Sequence, residues 1–150
     1  MLLPILKYPD KRLNIVASSV NEEEFKDNIH LYLVVNNMFE TMENAGGIGL
    51  AATQVNIHKR IIVMKVTLPI VIINPVVISK SEKLITFREG CLSFPNVNIE
   101  LERSSMIHVA YRDIDGNLLE RSFSDLEAIC IQHEIDHLDG ITFKDRKKKK

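Results

Sequence analysis

Residues 124–140 read Ser-Asp-Leu-Glu-Ala-Ile-Cys-Ile-Gln-His-Glu-Ile-Asp-His-Leu-Asp-Gly. Ser124 with Glu127 three positions on has the form of a capping box, so a helix should open here, run to about Leu138 and stop at Gly140. At helical spacing Leu126, Ile129, Cys130, His133 and His137 share one face, while Ile131, Ile135 and Leu138 form a second apolar stripe. Asp125, Gln132, Asp136 and Asp139 form a narrow polar edge. A helix apolar on most sides belongs inside a fold rather than on its surface, and the rest of the chain must supply what encloses it.

Upstream, alternation dominates. Val97, Ile99 and Leu101 alternate with Asn98, Glu100 and Glu102, and Ile107, Val109 and Tyr111 alternate with His108, Ala110 and Arg112, the pattern of half-buried antiparallel strands. Asp115-Gly116 then turns the chain into a strand over 117–123. Shorter strands are expected at 61–65, 70–73, 76–79 and 83–87, separated by Pro69, Asn74-Pro75 and Lys80-Ser81. Before them, Asn21 and Glu24 make a second capping box. It opens a long helix whose apolar face is Phe25, Ile29, Tyr32, Val35, Phe39 and Met42, ended by Gly46-Gly47. The fold class is therefore α+β: curved antiparallel sheets around a central helix, with a long N-terminal helix.

Composition agrees with a single domain. The chain has 150 residues, 45% hydrophobic and 26% charged, and a net charge of -1, which excludes a global field for nucleic acid or an anionic membrane surface. Pro4 and Lys7 interrupt the apolar start before a signal peptide or membrane span forms, so a cytoplasmic location is expected. Cys91 and Cys130 are too few for a disulfide framework. Residues 1–143 are read as one catalytic domain and 144–150, with six cations in seven positions, as a basic, disordered tail. His30, His58 and His108 have no ligand spacing to one another and read as surface or structural residues.

His133-Glu134-Ile135-Asp136-His137 is an HExxH pattern, whose i, i+4 imidazoles can share one metal ion. Glu134 is rotated about 100° from His133 on the helix, so its carboxylate can flank the ion and act as a general base. A third histidine at position 143 would mark one metalloprotease class, but Phe143 stands there, and only thirteen residues follow His137. The third ligand should therefore lie upstream, and the outstanding candidate is Cys91 in Arg88-Glu89-Gly90-Cys91-Leu92-Ser93. One thiolate and two imidazoles leave a fourth position open, as in catalytic rather than structural sites. In Gly47-Ile48-Gly49-Leu50-Ala51-Ala52-Thr53-Gln54 the glycines permit close backbone approach and Gln54 offers an uncharged donor to an oxygen turning negative. The same stretch is also compatible with a plain helix end and packed turn.

Three segments in this order, GxGLAAxQ at Gly47–Gln54, EGCLS at Glu89–Ser93 and QHEIDH at Gln132–His137, resemble the peptide deformylase family. The likeness covers nearly all of the chain from Tyr8-Pro9-Asp10 onward. It implies that Cys91, His133 and His137 bind one divalent metal ion, Fe2+ natively with Zn2+, Ni2+ or Co2+ as substitutes. The implied partner is a nascent N-formylmethionyl peptide, and the products are formate and a free amino terminus. On this resemblance Glu134 would take the proton of a water activated by the ion, and Gln54 and the Leu92 N–H would donate to the oxyanion. By the same resemblance Ile48, Phe87, Glu89, Leu126, Ile129 and Cys130 form the methionine pocket, with main chain near Gly49 and Gly90 pairing with the extended peptide. Leu126, Ile129 and Cys130 have support of their own, one turn before the first ligand on its helix face.

Departures from the family pattern are few. Asn98 and Arg88 stand where some relatives carry an arginine and an acidic residue, and the chain ends in lysines where many bacterial members continue into a helix. Two other readings compete. In one, Cys130 closes a four-ligand structural zinc site with Cys91, His133 and His137. In the other, the basic tail makes a transient ribosome contact, with no sequence-specific nucleic acid and no membrane as partner.

Overall fold

The computed structural model describes residues 1–148, so Lys149 and Lys150 lie outside the described residues. The Asn21 capping box forms in both halves: Glu24 N–H donates to Asn21 Oδ1 at 2.9 Å, and Asn21 N–H donates to Glu24 Oε1 at 3.1 Å. The helix it opens is short, however. α1 spans Glu22–Lys26, the chain breaks at Asp27-Asn28, and α2 spans Ile29–Asn44. Of the expected apolar face Phe25, Val35 and Met42 are buried and Phe39 packs against the core, but the break turns Ile29 and Tyr32 outward. Leu31, Val34, Val35, Met38 and Met42 are buried, whereas Ile29 is 79% exposed and the Tyr32 hydroxyl reaches out to donate to Asp115.

Five antiparallel strands make the main sheet: β1 (Gly49–Ala51), β2 (Ile61–Lys65), β3 (Pro69–Lys80), and beyond a separate hairpin β6 (Met106–Arg112) and β7 (Leu118–Ser124), in spatial order β1-β2-β3-β6-β7. The hairpin is β4 (Leu84–Cys91) with β5 (Phe94–Ser104). β3 is one strand where two were expected. Asn74 takes φ 53°, its amide exchanges two 2.9 Å hydrogen bonds with the Val20 backbone, and the register shifts between Ile73 and Val76. A bulge thus absorbs Pro75 without ending the strand.

α3 (Asp125–Leu138) packs against β1, β2, β5, β6 and β7. Its Ala128, Ile131 and Leu138 meet Ile62, Met64, Ile72, Ile107, Val109 and Phe123 from one sheet face. Val35, Met38 and Met42 of α2 pack with Leu50, Val63 and Ile73 on the other. Each such large side chain, wholly removed from water, stabilises the fold by about 1.5–3 kcal/mol, so the sheet is fixed between its two helices.

The expected Ser124 cap does not form. β7 runs through Ser124, which pairs with Met106, and the chain enters α3 through Asp125 at φ 55° with its N–H on the Ser105 carbonyl. Asp125 and Glu127 still place negative charge in the first turn, where the helix dipole favours it. Gly140 ends the helix as expected: φ is 73°, and a Cβ there would sit 2.5 Å from the Asn14 carbonyl oxygen. Where a disordered tail was expected from residue 144, the chain forms α4 (Phe143–Lys148). Thr142 and Asp145 cap each other reciprocally across its first turn, and Phe143 is buried. No helix among the described residues is long and apolar enough to cross a membrane.

Candidate metal centre and substrate cleft

Two elements bring the predicted ligands together. The β4–β5 hairpin shifts register between Gly90 and Cys91, which presents the Cys91 thiol at the strand end, and α3 aligns His133 with His137 one turn apart. Cys91 Sγ lies 3.3 Å from His137 Nε2, and one donor atom from each of the three residues falls within 4.8 Å of the others. Glu89 Oε1 holds His133 Nδ1 at 2.9 Å, which leaves Nε2 of that ring for an ion. His137 Nδ1 is buried and has no hydrogen-bond partner among the described residues. Burial pushes the His137 pKa well down, so this imidazole stays neutral. Burial acts the same way on His133, but contacts with Cys91 and Glu89 overcome it and raise its pKa well above the ordinary value. Surroundings that draw positive charge to the centre, with a thiol and two imidazoles converging, suit a divalent cation.

Glu134 sits beside this group, 5% exposed, with Oε1 unpartnered among the described residues. Burial pushes its carboxyl up to about 7, with His133 pulling down and Glu89 pushing up. A carboxyl that titrates near neutrality can both accept and return a proton. Gln54 is also fixed: its Oε1 accepts the Ala51 N–H at 3.0 Å, so the NH2 end must face Ser93 Oγ, at 3.1 Å, and Cys91 Sγ, at 3.7 Å. Both side chains open onto a cleft of about 500 Å³.

The polypeptide deformylase family profile matches residues 2–150. This chain belongs to that family. It is 47% identical over 148 residues to the peptide deformylase of Cellvibrio japonicus, covering 96% of this chain and 85% of that one. Its fold is similar to the class I type b peptide deformylase of Acinetobacter baumannii bound to Met-Ala-Ser, with TM-score 0.94, 32% identity and coverage of 97% and 98%. The actinonin-bound form of that enzyme gives TM-score 0.93, 35% identity and the same coverage. The chain is a peptide deformylase by family and fold, and its centre is one in which a Cys, His, His group can hold a metal ion.

The structure brings nearly every expected residue to this one cleft. Ile48, Gly49, Phe87, Glu89 and Gly90 line it from the strand side, with Gln54, Cys91 and Leu92. Leu126, Ile129, Cys130, His133 and Glu134 line it from α3. His137, wholly buried, closes the ligand group from behind. Cys130 stays outside that group: its Sγ is 3.8 Å from the Ile48 carbonyl, and burial, with the Glu134 charge adding, raises its pKa well above normal. The closed four-ligand site therefore lacks its fourth ligand. Glu89 lines the cleft, but its carboxylate is turned onto His133 and Arg103.

Sequence reasoning missed Arg103. It is 5% exposed and joins Glu89 to Asp136, yet it follows Glu102 in a strand where nothing local distinguishes it from a surface cation. Lys7 was missed as well. Its Nζ donates to the Leu92 carbonyl at 3.0 Å, and the Leu6 and Tyr8 N–H groups bond the Gln54 and Ser93 carbonyls at 2.7 and 2.9 Å, so the N-terminal segment ties together the two loops flanking the centre.

Proposed function

We propose that this chain acts as one catalytic domain that removes the N-formyl group from nascent N-formylmethionyl peptides in the cytoplasm, releasing formate. The observation that carries this reading is that Glu134 and Gln54 line the same cleft as Cys91 and His133 of the Cys91–His133–His137 group, with the Gln54 NH2 3.7 Å from Cys91 Sγ. A divalent ion held by those three residues, Fe2+ natively with Zn2+, Ni2+ or Co2+ as substitutes, supplies Lewis acidity that acidifies water and polarises the formyl oxygen.

The protein's own groups carry the remaining work. Gln54 and the Leu92 N–H donate to the formyl oxygen as it becomes negative. Glu134 takes a proton from the attacking water and returns it to the amine, so that the C–N bond breaks as formate leaves. Ile48, Leu126, Ile129 and Cys130 receive the methionine side chain, an assignment supported by their common wall next to the ligands. β1 and β4 each have an unpaired edge, and an extended peptide can add to them near Gly49 and Gly90. The A. baumannii relative binds a short peptide, Met-Ala-Ser. The basic end of the chain serves a transient ribosome contact.

Glu134→Ala tests the reading. Formate release from formyl-Met-Ala-Ser should fall by about 10²–10⁴-fold while one metal ion per chain remains bound. A variant that turns over at the wild-type rate would remove Glu134 as the base.

A further inference from the structure

The C-terminal helix is joined to the metal centre by an unbroken chain of charged hydrogen bonds. Arg146 on α4 grips Asp136 with two parallel contacts, Nε to Oδ2 and Nη2 to Oδ1, both 2.7 Å. Asp136 Oδ2 also accepts Arg103 Nη1 at 2.9 Å, and Arg103 holds Glu89 through Nε at 2.6 Å and Nη2 at 3.1 Å. Glu89 Oε1 then fixes His133 Nδ1 at 2.9 Å. A second contact follows the same route, for Phe143 at the start of α4 packs edge-on against the His133 ring at 5.6 Å and 85°. The first three members, Glu89, Arg103 and Asp136, are shielded, with side chains 3%, 4% and 10% exposed, whereas Arg146 is 38% exposed. Arg146 is thus where this chain of contacts meets solvent.

We propose that Arg146 is a positioning residue for the metal ligand His133, acting through Asp136, Arg103 and Glu89. The fork geometry carries the argument. Asp136 shares one oxygen, Oδ2, between both guanidinium groups, so the direction of its carboxylate depends on Arg146 as much as on Arg103. Without Arg146, Asp136 is free to rotate toward the small cavity that both arginines line. Arg103 then loses its fixed partner on that side, and Glu89 follows it. A histidine ligand whose other nitrogen is loosely held binds metal less tightly, and direct partners of ligands change affinity by about 10–100-fold.

The inference rests on the metal reading of the site, and Co2+ is the probe that separates the two. The full chain, freed of metal, is titrated with Co2+ while the visible bands of the thiolate-bound ion are recorded, for wild type, Arg146→Met, Arg146→Lys and Lys147→Met. Lys147 is the control, because it ties α4 to the Glu100 carbonyl at 3.2 Å without touching Asp136. Arg146→Met should weaken Co2+ binding by about tenfold and shift the bands. Arg146→Lys, which keeps the charge but loses the fork, should fall between, and Lys147→Met should match wild type. If Arg146→Met does not fold, the lysine variant decides by the same two measurements. Wild-type affinity and bands in the Arg146 variants would overturn the inference, whatever their melting temperature. A wild-type chain that binds no Co2+ would instead overturn the metal reading.

Discussion

Gly49 offers the sharpest test of how Glu134, the proposed base, is seated. A Cβ built at Gly49 would lie 2.6 Å from Cys130 Sγ and 2.7 Å from Glu134 Oε2. The backbone there is not in the left-handed region, so alanine meets no conformational penalty and the whole effect of Gly49→Ala is steric. Restoring an ordinary 3.4 Å contact requires the Glu134 oxygen to retreat by 3.4 minus 2.7, or about 0.7 Å. Overpacking of this kind costs about 1–3 kcal/mol, which in a domain of this size lowers the melting temperature by roughly 3–9 °C. The rate should suffer out of proportion, because a misplacement near 1 Å at a reacting group costs on the order of 100-fold.

Formate release under saturating formyl-Met-Ala-Ser, measured alongside metal content, reads the effect directly. The expected result is kcat lower by about 10–100-fold with one ion still bound. Gly46→Ala is the matched control. It meets nothing within 4 Å among the described residues but sits at φ 74°, so it should cost about 1–2 kcal/mol of stability with kcat retained. Equal kcat in the wild type and the Gly49 variant would refute the claim that this glycine makes room for the base.

Two further outcomes follow from buried groups. Cys130→Ala removes a buried sulfur whose polar contact is the Ile48 carbonyl at 3.8 Å. It should cost about 0.5–1.5 kcal/mol, like loss of one methyl-sized group, and leave metal content unchanged; loss of the ion would revive the closed four-ligand site. Tyr111 is 5% exposed, and its burial, together with the Asp113 charge and against the pull of Arg121, raises its pKa above the ordinary value. Above pH about 10 the unfolded chain gives up this proton while the folded chain keeps it, so wild-type stability must fall as pH rises. Tyr111→Phe should flatten that decline, as read from urea midpoints at pH 9 and 11, and parallel curves for the two proteins would contradict it.

How far the sequence could be read depended on the range of the interaction. The HExxH helix, its Gly140 stop and the Asn21 box are set by neighbours three or four residues apart, and all of them form where the residues indicate. Ile29 and Tyr32 face outward because the helical period does not continue through the break at Asp27-Asn28, which no proline or glycine announces. Asn74-Pro75 looked like a strand end because the Val20 contacts that hold the bulge come from a segment 54 positions away. α4 carried a local signal that the lysine run obscured, namely Thr142 three positions before Asp145. The Cys91, His133 and His137 group was legible through residue type and spacing, whereas Arg103 was not, since only folding brings Glu89 and Asp136 to it.

Arg103 also shows what this centre requires of the fold. Glu89 and Arg103 are almost wholly removed from water, and Asp136 nearly so. Desolvating such charges costs several kcal/mol per ion, and their mutual attraction does little more than repay it, so apolar residues of the same volume would leave the domain as stable or more so. Apolar residues would not direct a histidine. Burial works to raise the Glu89 carboxyl, but the His133 and Arg103 hydrogen bonds hold it below its usual value, so it stays an anion facing Nδ1. An anion at that nitrogen fixes the tautomer and the ring plane, and makes the opposite nitrogen a stronger donor. The buried charges therefore contribute orientation rather than stability. Replacing Arg103 alone would forfeit both, because it would strand the Glu89 carboxylate in the interior at about 3–5 kcal/mol, leave Asp136 to Arg146 alone, and loosen the hold on His133.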